Sequence, residues 1–139
     1  MLIETDVLYA YVKPRDWLKP VAMKLMEKIE KGEFGEVYVS REALHELYYV
    51  SMEEGISLNE FIKRIVAVTA IDNLVFVETT CEIDLLAFTI MHQYKVHSVF
   101  DAYYAATALN VDPDHTIIST DSIFDRIPGL IRKDPRKIV

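Results

Sequence analysis

Apolar positions along this chain fall into two patterns that alternate from its first residues to its last. Short continuous apolar runs bounded by polar or turn-forming residues predict strands, and longer stretches with apolar residues three and four apart predict helices. The predicted strands are LIET at 2–5, VYV at 37–39, LVFV at 74–77, TIIS at 116–119 and LIR at 130–132. Strands that alternate with helices favour an α/β fold with a mainly parallel central sheet and helices on both faces.

Capping and breaking residues mark where the predicted helices begin and end. A proline suits the first turn of a helix, a glycine suits its end, and a serine or threonine three residues before a glutamate forms a capping box. Two helices are predicted to run from Pro20 to Gly32 and from Ser40 to Gly55. Capping boxes at Ser57 with Glu60 and at Thr79 with Glu82 predict the starts of two more, and Ser98 precedes the helix VFDAYYAATAL. A loop NVDPDH at 110–115 and a short helix after Asp121 complete the prediction. No repeat or linker interrupts this order, so residues 1–139 are predicted to form one domain.

Composition narrows the class of protein without identifying it. The 139 residues are 51% hydrophobic and 27% charged, which is typical of a globular protein. The single cysteine, Cys81, excludes an internal disulfide and a zinc site built from several thiolates. The N-terminus lacks the basic and then apolar pattern of a signal peptide, and no apolar run approaches the ~20 residues that span a bilayer. A cytoplasmic protein with no membrane partner is therefore expected.

Charge is distributed unevenly along the chain. Fifteen basic and 22 acidic side chains give a net charge of −7, which by itself argues against a basic nucleic-acid-binding domain. Residues 1–64 carry nine basic and twelve acidic side chains, residues 65–125 carry one and nine, and residues 126–139 carry five and one. The acidic stretch is either a solvated surface or a cation site, and the basic tail between Arg132 and Lys137 could then bind a polyanion.

Six carboxylates lie at or near predicted strand ends, where parallel α/β sheets bind their ligands. The six are Glu4 and Asp6 after the first strand, Glu46 in the helix after the second strand, Asp101 in the first turn of the alanine-rich helix, Asp121 just after TIIS, and Asp125 one helical turn later. Glu4 and Asp6 are two residues apart, so in an extended chain both are predicted to point to the same side.

Several carboxylates in one cleft repel one another, which raises their pKa values unless a cation is bound. Mg²⁺ and Mn²⁺ prefer oxygen ligands, and a bound divalent ion activates a water and stabilises charge on a phosphodiester. The same acids also have ordinary structural roles, since Asp101 can complete a capping box with Ser98, and Asp6 and Asp121 can cap helices. The spacing alone leaves a metal site and these structural roles as alternatives.

Four local strings, ETDVLYAYV, EALHEL, SVFDAYYAATAL and ISTDSIFDRIPGL, resemble the PIN-domain ribonucleases, the family that includes the VapC-type toxins. The resemblance covers essentially the whole chain, and the two C-terminal strings are its most specific part. It implies a three-layer α/β/α fold and Mg²⁺- or Mn²⁺-dependent cleavage of RNA. Glu46, Asp101 and Asp121 match three acids of the family's site, and Asp125 matches an additional acid of some members.

The first acid of the family pattern has two candidates in this chain. The family usually places Asp-Thr-Asn or Asp-Thr-Ser before its first apolar run, whereas this chain has Glu4, Thr5 and Asp6. Either Glu4 takes the position of the aspartate or Asp6 is itself the ligand, and we favour Asp6 with Glu4 close by. The predicted catalytic residues are Glu46, Asp6, Asp101 and Asp121, and the predicted metal ligands are Asp6, Asp101, Asp121, Glu4 and Asp125.

Partners and rival functions follow from the same resemblance. It implies an RNA substrate, a small antitoxin protein and a homodimer, with Lys13, Arg15, Arg41 and the basic tail as candidate phosphate contacts. Glu4 in place of the usual aspartate motivates a second hypothesis, a PIN-like module that binds RNA or a protein partner and has weak or no activity. A haloacid-dehalogenase-like phosphatase is a third hypothesis, but it needs Asp-x-Asp after the first strand, where this chain has Glu-Thr-Asp.

Overall fold

A five-stranded parallel sheet forms the centre of the computed structural model, which describes residues 1–139. The strands are β1 Leu2–Ile3, β2 Val37–Ser40, β3 Leu74–Val77, β4 Thr116–Ile118 and β5 Ile131–Lys133. Their order across the sheet is β3-β2-β1-β4-β5, so the first strand of the chain lies in the middle. Every neighbouring pair is parallel, and the carboxyl ends of all five strands therefore meet at one edge of the sheet.

Six α-helices connect and cover the strands. They are α1 Thr5–Val12, α2 Lys19–Glu30, α3 Glu42–Glu53, α4 Leu58–Thr69, α5 Cys81–Tyr94 and α6 Val99–Val111. Two short 3₁₀ helices, Ser122–Arg126 and Pro135–Lys137, follow β4 and β5. The predicted α/β class, a three-layer α/β/α arrangement around a parallel sheet, is confirmed. No helix combines the length and the apolarity that a bilayer crossing requires.

The chain passes from strand to helix earlier than the apolar pattern predicts. β1 ends at Ile3 and α1 begins at Thr5, so the prediction of a strand over 2–5 is wrong at its carboxyl end. Glu4 is the N-cap of α1, and its carboxylate accepts a hydrogen bond from the backbone N–H of Asp6 at 3.3 Å. Asp6 therefore lies in the first helical turn. The prediction that it sits beside Glu4 through strand geometry is wrong, because the cap contact brings the two together.

Most of the other predicted boundaries are confirmed. Pro20 lies in the first turn of α2, and Gly32, with a φ of +76°, follows the end of that helix. Ser57 and Ser98 cap α4 and α6 through their hydroxyl oxygens, each of which accepts a backbone N–H from three residues further along. α6 continues to Val111 and so includes the first two residues of the segment that was predicted as a loop.

Two predicted caps are each wrong by one residue, since Thr80 caps α5 and Arg41 occupies the N-cap position of α3. The Thr80 hydroxyl, and not that of Thr79, accepts the N–H of Ile83 at 3.2 Å and caps α5. Thr79 instead donates its hydroxyl to a carboxylate oxygen of Glu42 at 3.1 Å. Ser40 is the last residue of β2, and α3 begins two residues later, although the Ser40 hydroxyl still accepts the N–H of Glu42 at 3.2 Å.

The core brings α6 close to the middle of the sheet. Leu2 and Ile3 of β1 and the isoleucines of β4 are fully buried. The face of α6 that packs on β1 and β4 is rich in alanine, and Ala102, Ala105, Ala106 and Ala108 are fully buried. Such small side chains allow a close approach of the helix axis. The first turn of α6 consequently lies beside the carboxyl ends of β1 and β4.

Candidate functional site

Five carboxylates converge at the edge of the sheet where the parallel strands end. They are Glu4 after β1, Asp6 in the first turn of α1, Glu46 in α3, Asp101 in the first turn of α6 and Asp121 after β4. The charges of Asp6, Glu46 and Asp101 all act on Glu4, and those of Glu46, Asp121 and Asp6 act on Asp101. None of the five forms an ion pair with a basic group within 4.0 Å. We call these five residues the acidic site.

Glu4 is the most deeply buried member of the acidic site, with 6% of its surface exposed. One carboxylate oxygen accepts the N–H of Asp6, and the other accepts the hydroxyl of Ser119 at 3.1 Å. Burial, reinforced by the charges of Asp6, Glu46 and Asp101, raises the pKa of Glu4 well above its usual range. Glu4 therefore retains its proton to a higher pH than an ordinary glutamate does.

The two carboxylate oxygens of Asp6 differ in their hydrogen bonds. Its Oδ2 accepts both the N–H of Thr120 at 2.8 Å and the hydroxyl of Thr120 at 2.6 Å. Its Oδ1 is buried and has no hydrogen-bond partner while Glu4 is ionised, and a protonated Glu4 shares a hydrogen bond with the Asp6 side chain. A buried carboxylate oxygen without a partner is unfavourable, and a cation beside Oδ1 would relieve this.

Two hydroxyl residues that sequence reasoning missed connect the end of β4 to α1. Ser119 is fully buried, donates its hydroxyl to Glu4 and accepts the N–H of Asp121 at 2.9 Å. Thr120 donates both its N–H and its hydroxyl to Asp6. Their position in the sequence could have identified them, because both lie between a buried strand and an acid at the edge of the sheet where ligands bind.

A buried tyrosine that sequence reasoning also missed positions Glu46. The Tyr104 hydroxyl donates to Oε1 of Glu46 at 3.0 Å and accepts the hydroxyl of Thr5 at 2.7 Å. Burial and then the charge of Glu46 raise the pKa of Tyr104 far above its usual value, so it stays a hydrogen-bond donor. Burial also raises the pKa of Glu46, and the nearby hydroxyls of Thr5 and Tyr104 partly oppose this rise. Tyr104 lies one turn after Asp101, and this spacing could have identified it.

Asp101 has both of the roles that the sequence left open. Its backbone N–H donates to the Ser98 hydroxyl at 3.3 Å, so the predicted cap is confirmed. Its carboxylate is half-buried in the acidic site. Burial, followed by the charges of Glu46 and Asp121, raises the pKa of Asp101 to about 6. The cap uses the backbone N–H, and the Ser98 hydroxyl also hydrogen-bonds to the Asp101 carboxylate, a contact that lowers the pKa of Asp101.

The two remaining predicted acids have different surroundings. Asp121 is exposed and caps the 3₁₀ helix Ser122–Arg126 by accepting the N–H of Ile123 at 2.9 Å. Asp125 accepts two hydrogen bonds, of 2.9 and 3.0 Å, from the guanidinium of Arg132, which lowers the pKa of Asp125. The structure thus brings five of the six predicted acids together and pairs the sixth with an arginine.

The basic residues proposed from the sequence lie mostly in ion pairs. Lys13 pairs with Asp16 at 3.9 Å and Arg41 pairs with Glu78 at 3.2 Å. Arg15 forms no ion pair within 4.0 Å. None of these three forms a hydrogen bond or an ion pair with a member of the acidic site, and the basic tail is a further candidate for a phosphate contact beside the acids.

The acidic site has the ligand atoms of a Mg²⁺ or Mn²⁺ site, but they are not arranged in a complete coordination sphere. Its ligand atoms are carboxylate oxygens, which both ions prefer. As the side chains are arranged, no group of three or more histidine, cysteine, aspartate or glutamate residues could hold a metal ion. The unpartnered Oδ1 of Asp6 and the mutual repulsion of the acids are the features that a divalent cation would relieve. The residues fit such an ion through their donor atoms rather than through preformed geometry.

Replacing Glu4 by glutamine is expected to stabilise the metal-free protein at alkaline pH. Because the pKa of Glu4 is raised on folding, its contribution to stability is full below the unfolded value of ~4.3 and is lost as the pH rises through the folded value. Glu4→Gln removes that loss and keeps the size of the side chain. In EDTA near pH 8 we expect unfolding about 4 °C above the wild type, equivalent to ~1 kcal/mol. The difference should shrink near pH 4.5, and a variant less stable than the wild type at both pH values would contradict this.

A family model described as PIN domain matches residues 1–130 of the chain. Three similar solved structures are VapC20 of Mycobacterium tuberculosis, described as a toxin that cleaves the sarcin–ricin loop, VapBC2 of Rickettsia felis bound to a promoter DNA fragment, and a toxin–antitoxin complex from Klebsiella pneumoniae. Their sequence identities to this chain are 13%, 14% and 17%, and the TM-scores are 0.69, 0.72 and 0.66 in the same order.

These structural matches extend over nearly the whole fold. They cover 87%, 95% and 96% of this chain, and 89%, 96% and 96% of the three solved chains in the same order. At these identities the similarity concerns the fold. No curated protein matches the chain at the sequence level.

Proposed function

This chain belongs to the PIN domain family, and we propose that it is a Mg²⁺- or Mn²⁺-dependent endoribonuclease that acts as the toxin of a toxin–antitoxin pair. Residues 1–139 would form a single nuclease domain that acts in the cytoplasm. The acidic site is the observation that carries this proposal. It combines five mutually interacting carboxylates, no basic partner and one buried oxygen without a hydrogen bond.

Asp6, Asp101 and Asp121 are the proposed metal ligands, with Glu4 beside them. The unpartnered Oδ1 of Asp6 is the first donor atom available to a cation, since Oδ2 is already bonded. Bound here, Mg²⁺ or Mn²⁺ would lower the pKa of a coordinated water and stabilise negative charge on the phosphodiester. Asp101 gives up its proton near pH 6 and is then free to ligate.

Glu46 is the residue proposed to orient or deprotonate the attacking water. Its Oε1 is bonded to the Tyr104 hydroxyl, which leaves Oε2 to accept a proton. Burial raises the pKa of Glu46, which suits a general base that works near neutral pH. Asp125 takes no part in these steps, because Arg132 already neutralises it.

Cleavage of RNA with and without a divalent ion tests the proposal. Purified protein should cut a mixed single-stranded RNA pool at internal bonds in Mg²⁺ or Mn²⁺ and should stop in EDTA. Protein that retains RNA but cuts none in either metal would support the second hypothesis, a PIN-like binding module. The presence of Glu4 at the usual aspartate position is the observation that favours that alternative.

Removal of the Tyr104 hydroxyl is expected to slow cleavage about tenfold without unfolding the protein, since a hydrogen bond to a charged group contributes roughly 1.5–3 kcal/mol. Tyr104→Phe leaves Glu46 without the donor that fixes its Oε1. Single-turnover rates in saturating Mn²⁺ measure the effect. Tyr103→Phe is a matched control, because the Tyr103 hydroxyl donates to Asp84, outside the acidic site. Equal losses in the two variants would contradict the positioning role.

Family membership also supports two protein partners, a small antitoxin and a second copy of this chain. One of the similar solved structures is itself described as a toxin–antitoxin complex. On this chain α4 exposes Leu58, Ile62 and Val66, four residues apart on one face, with 52% to 60% of each exposed. An apolar stripe of this kind supports a protein partner. Light scattering of the purified chain, alone and mixed with a candidate small antitoxin protein, measures both associations.

A further inference from the structure

The basic tail surrounds a cavity with uncompensated positive charge. The cavity has a volume of about 330 Å³ and is lined by Arg132, Lys133, Asp134, Lys137 and Ile138. The charges of Arg132 and Asp134 are balanced in neighbouring ion pairs. Lys133 and Lys137 form no ion pair with a carboxylate within 4.0 Å. The Lys133 ammonium contacts only the uncharged sulfur of Met1, at 4.0 Å, so the positive charges of both lysines remain uncompensated. We call this space the lysine cavity.

The lysine cavity lies beside the acidic site at the same edge of the sheet. β5 pairs with β4, and the N–H of Ser119 donates to the carbonyl of Lys133 at 3.1 Å. The Arg132 guanidinium donates to the carbonyl of Ser119 at 3.3 Å. Ser119 in turn donates its hydroxyl to Glu4. One residue thus contacts both the cavity lining and the acidic site.

An exposed tryptophan contacts the short helix that supplies Lys137 to the lysine cavity. Trp17 is the single tryptophan of the chain, and 68% of its surface is exposed. The guanidinium of Arg136 lies 5.7 Å from the centroid of its ring. Arg136 belongs to the 3₁₀ helix Pro135–Lys137, which also supplies Lys137 to the cavity. The indole ring is consequently an aromatic surface next to free positive charge.

We propose that the lysine cavity and Trp17 together bind single-stranded RNA next to the acidic site. A backbone phosphate would lie between Lys133 and Lys137, and an unpaired base would stack on the indole ring. A polyanion that approaches five carboxylates is repelled, so positive charge beside the acids stabilises its binding there. Lysines for the phosphates and an aromatic ring for the bases are the usual combination for single strands. The choice of RNA rests on the proposed function, but this binding requires neither metal nor cleavage.

The fluorescence of Trp17 reports on this binding directly, because no other tryptophan contributes. In EDTA, titration of the wild-type protein with a short single-stranded RNA oligonucleotide is expected to quench the emission. A double-stranded RNA of the same length, whose bases are already stacked, is expected to leave the emission unchanged. A saturating single strand that leaves the emission unchanged overturns the proposal.

The affinities of variants for a labelled single-stranded RNA, measured by fluorescence anisotropy in EDTA, show which residues contact the RNA. Lys133→Ala combined with Lys137→Ala should weaken binding about tenfold and reduce the slope of log affinity against log salt by about 1.4, or ~0.7 for each phosphate that a lysine no longer neutralises. Trp17→Ala should weaken binding about tenfold and leave the salt slope unchanged. Lys63→Ala, which removes an exposed lysine from α4, should stay within about twofold. Circular dichroism checks that each variant is folded.

The outcomes separate this inference from the proposed function. If the cavity and Trp17 variants bind RNA as the wild type does, the assigned site is wrong, whereas metal-dependent cleavage by the wild type would still support the nuclease. If binding depends on these residues but no metal supports cleavage, the nuclease proposal fails and the single-strand site stands.

Discussion

Asp101→Asn is expected to reduce the rate of metal-dependent RNA cleavage by at least ~100-fold, because a divalent ion supplies several kcal/mol of transition-state stabilisation. Asparagine keeps the size of the side chain and the backbone N–H that donates to Ser98, so the cap of α6 is retained. It removes one negative charge from a cluster in which the acids repel one another. The folded state should therefore be at least as stable as that of the wild type in EDTA.

Asp72→Asn is the matched control for this prediction. Asp72 is exposed and precedes β3, at the edge of the sheet opposite the acidic site, and the substitution makes the same change in charge and size. Its cleavage rate should stay within about twofold of the wild type, the range expected of an exposed charge. Equal activity of Asp101→Asn and Asp72→Asn on a mixed RNA pool in Mn²⁺ would remove the acidic site from the mechanism.

The affinity of the protein for Mn²⁺ is expected to fall about tenfold for each pH unit below pH 6. A protonated carboxyl group cannot ligate the metal, and the pKa of Asp101 is raised to about 6 by burial and by the charges of Glu46 and Asp121. Affinity should therefore rise with pH through that value and then level off. If Glu4 also ligates, its raised pKa makes the dependence steeper and extends it to higher pH.

Isothermal titration calorimetry in buffers of different ionisation enthalpy measures this linkage. We expect proton release on Mn²⁺ binding near pH 6, because the incoming ion displaces protons from carboxyl groups. Ser98→Ala is a useful companion variant, since the Ser98 hydrogen bond lowers the pKa of Asp101 and its loss should move the midpoint to higher pH. An affinity that is constant between about pH 5 and pH 7 would contradict protonated carboxyl groups in the metal-free site.

The order of strands and helices could be predicted because most elements of this chain carry a local signal. LVFV at 74–77 coincides with β3, and Ser57 and Ser98 cap their helices. α1 lacks such a signal. Its N-cap is Glu4, a residue type that rarely caps helices, and after Thr5 and Asp6 its sequence is a continuous apolar run that shows no clear helical spacing. The error at the first strand follows from that single unusual cap.

The members of the acidic site could be predicted, but their hydrogen-bond partners could not. Parallel strands end at one edge of the sheet, so the order of the elements alone brings the acids together. The bond from Tyr104 to Glu46 joins residues 58 positions apart, and the bond from Ser119 to Glu4 joins residues 115 positions apart. Such contacts depend on how α3, α6 and β4 pack, which no local pattern encodes.

Asp125 has a partner that its spacing from Asp121 does not predict. Its spacing from Asp121 suggested a ligand one helical turn away, but the chain returns along β5 and places Arg132 against it. The sequence contains both residues, and only the pairing of β5 with β4 shows that they meet. A basic residue on an adjacent strand can thus form an ion pair with an acid that the sequence spacing alone would assign to the site.

A crystal soaked in Mn²⁺ and measured at a wavelength where manganese scatters anomalously tests the central claim most directly. We expect a strong anomalous peak in the acidic site, with Oδ1 of Asp6 and the carboxylate of Asp101 as ligands and with Asp121 bound directly or through water. The same map shows whether Glu4 coordinates the ion or only caps α1. An acidic site without a peak, at a Mn²⁺ concentration that supports RNA cleavage, would contradict the claim.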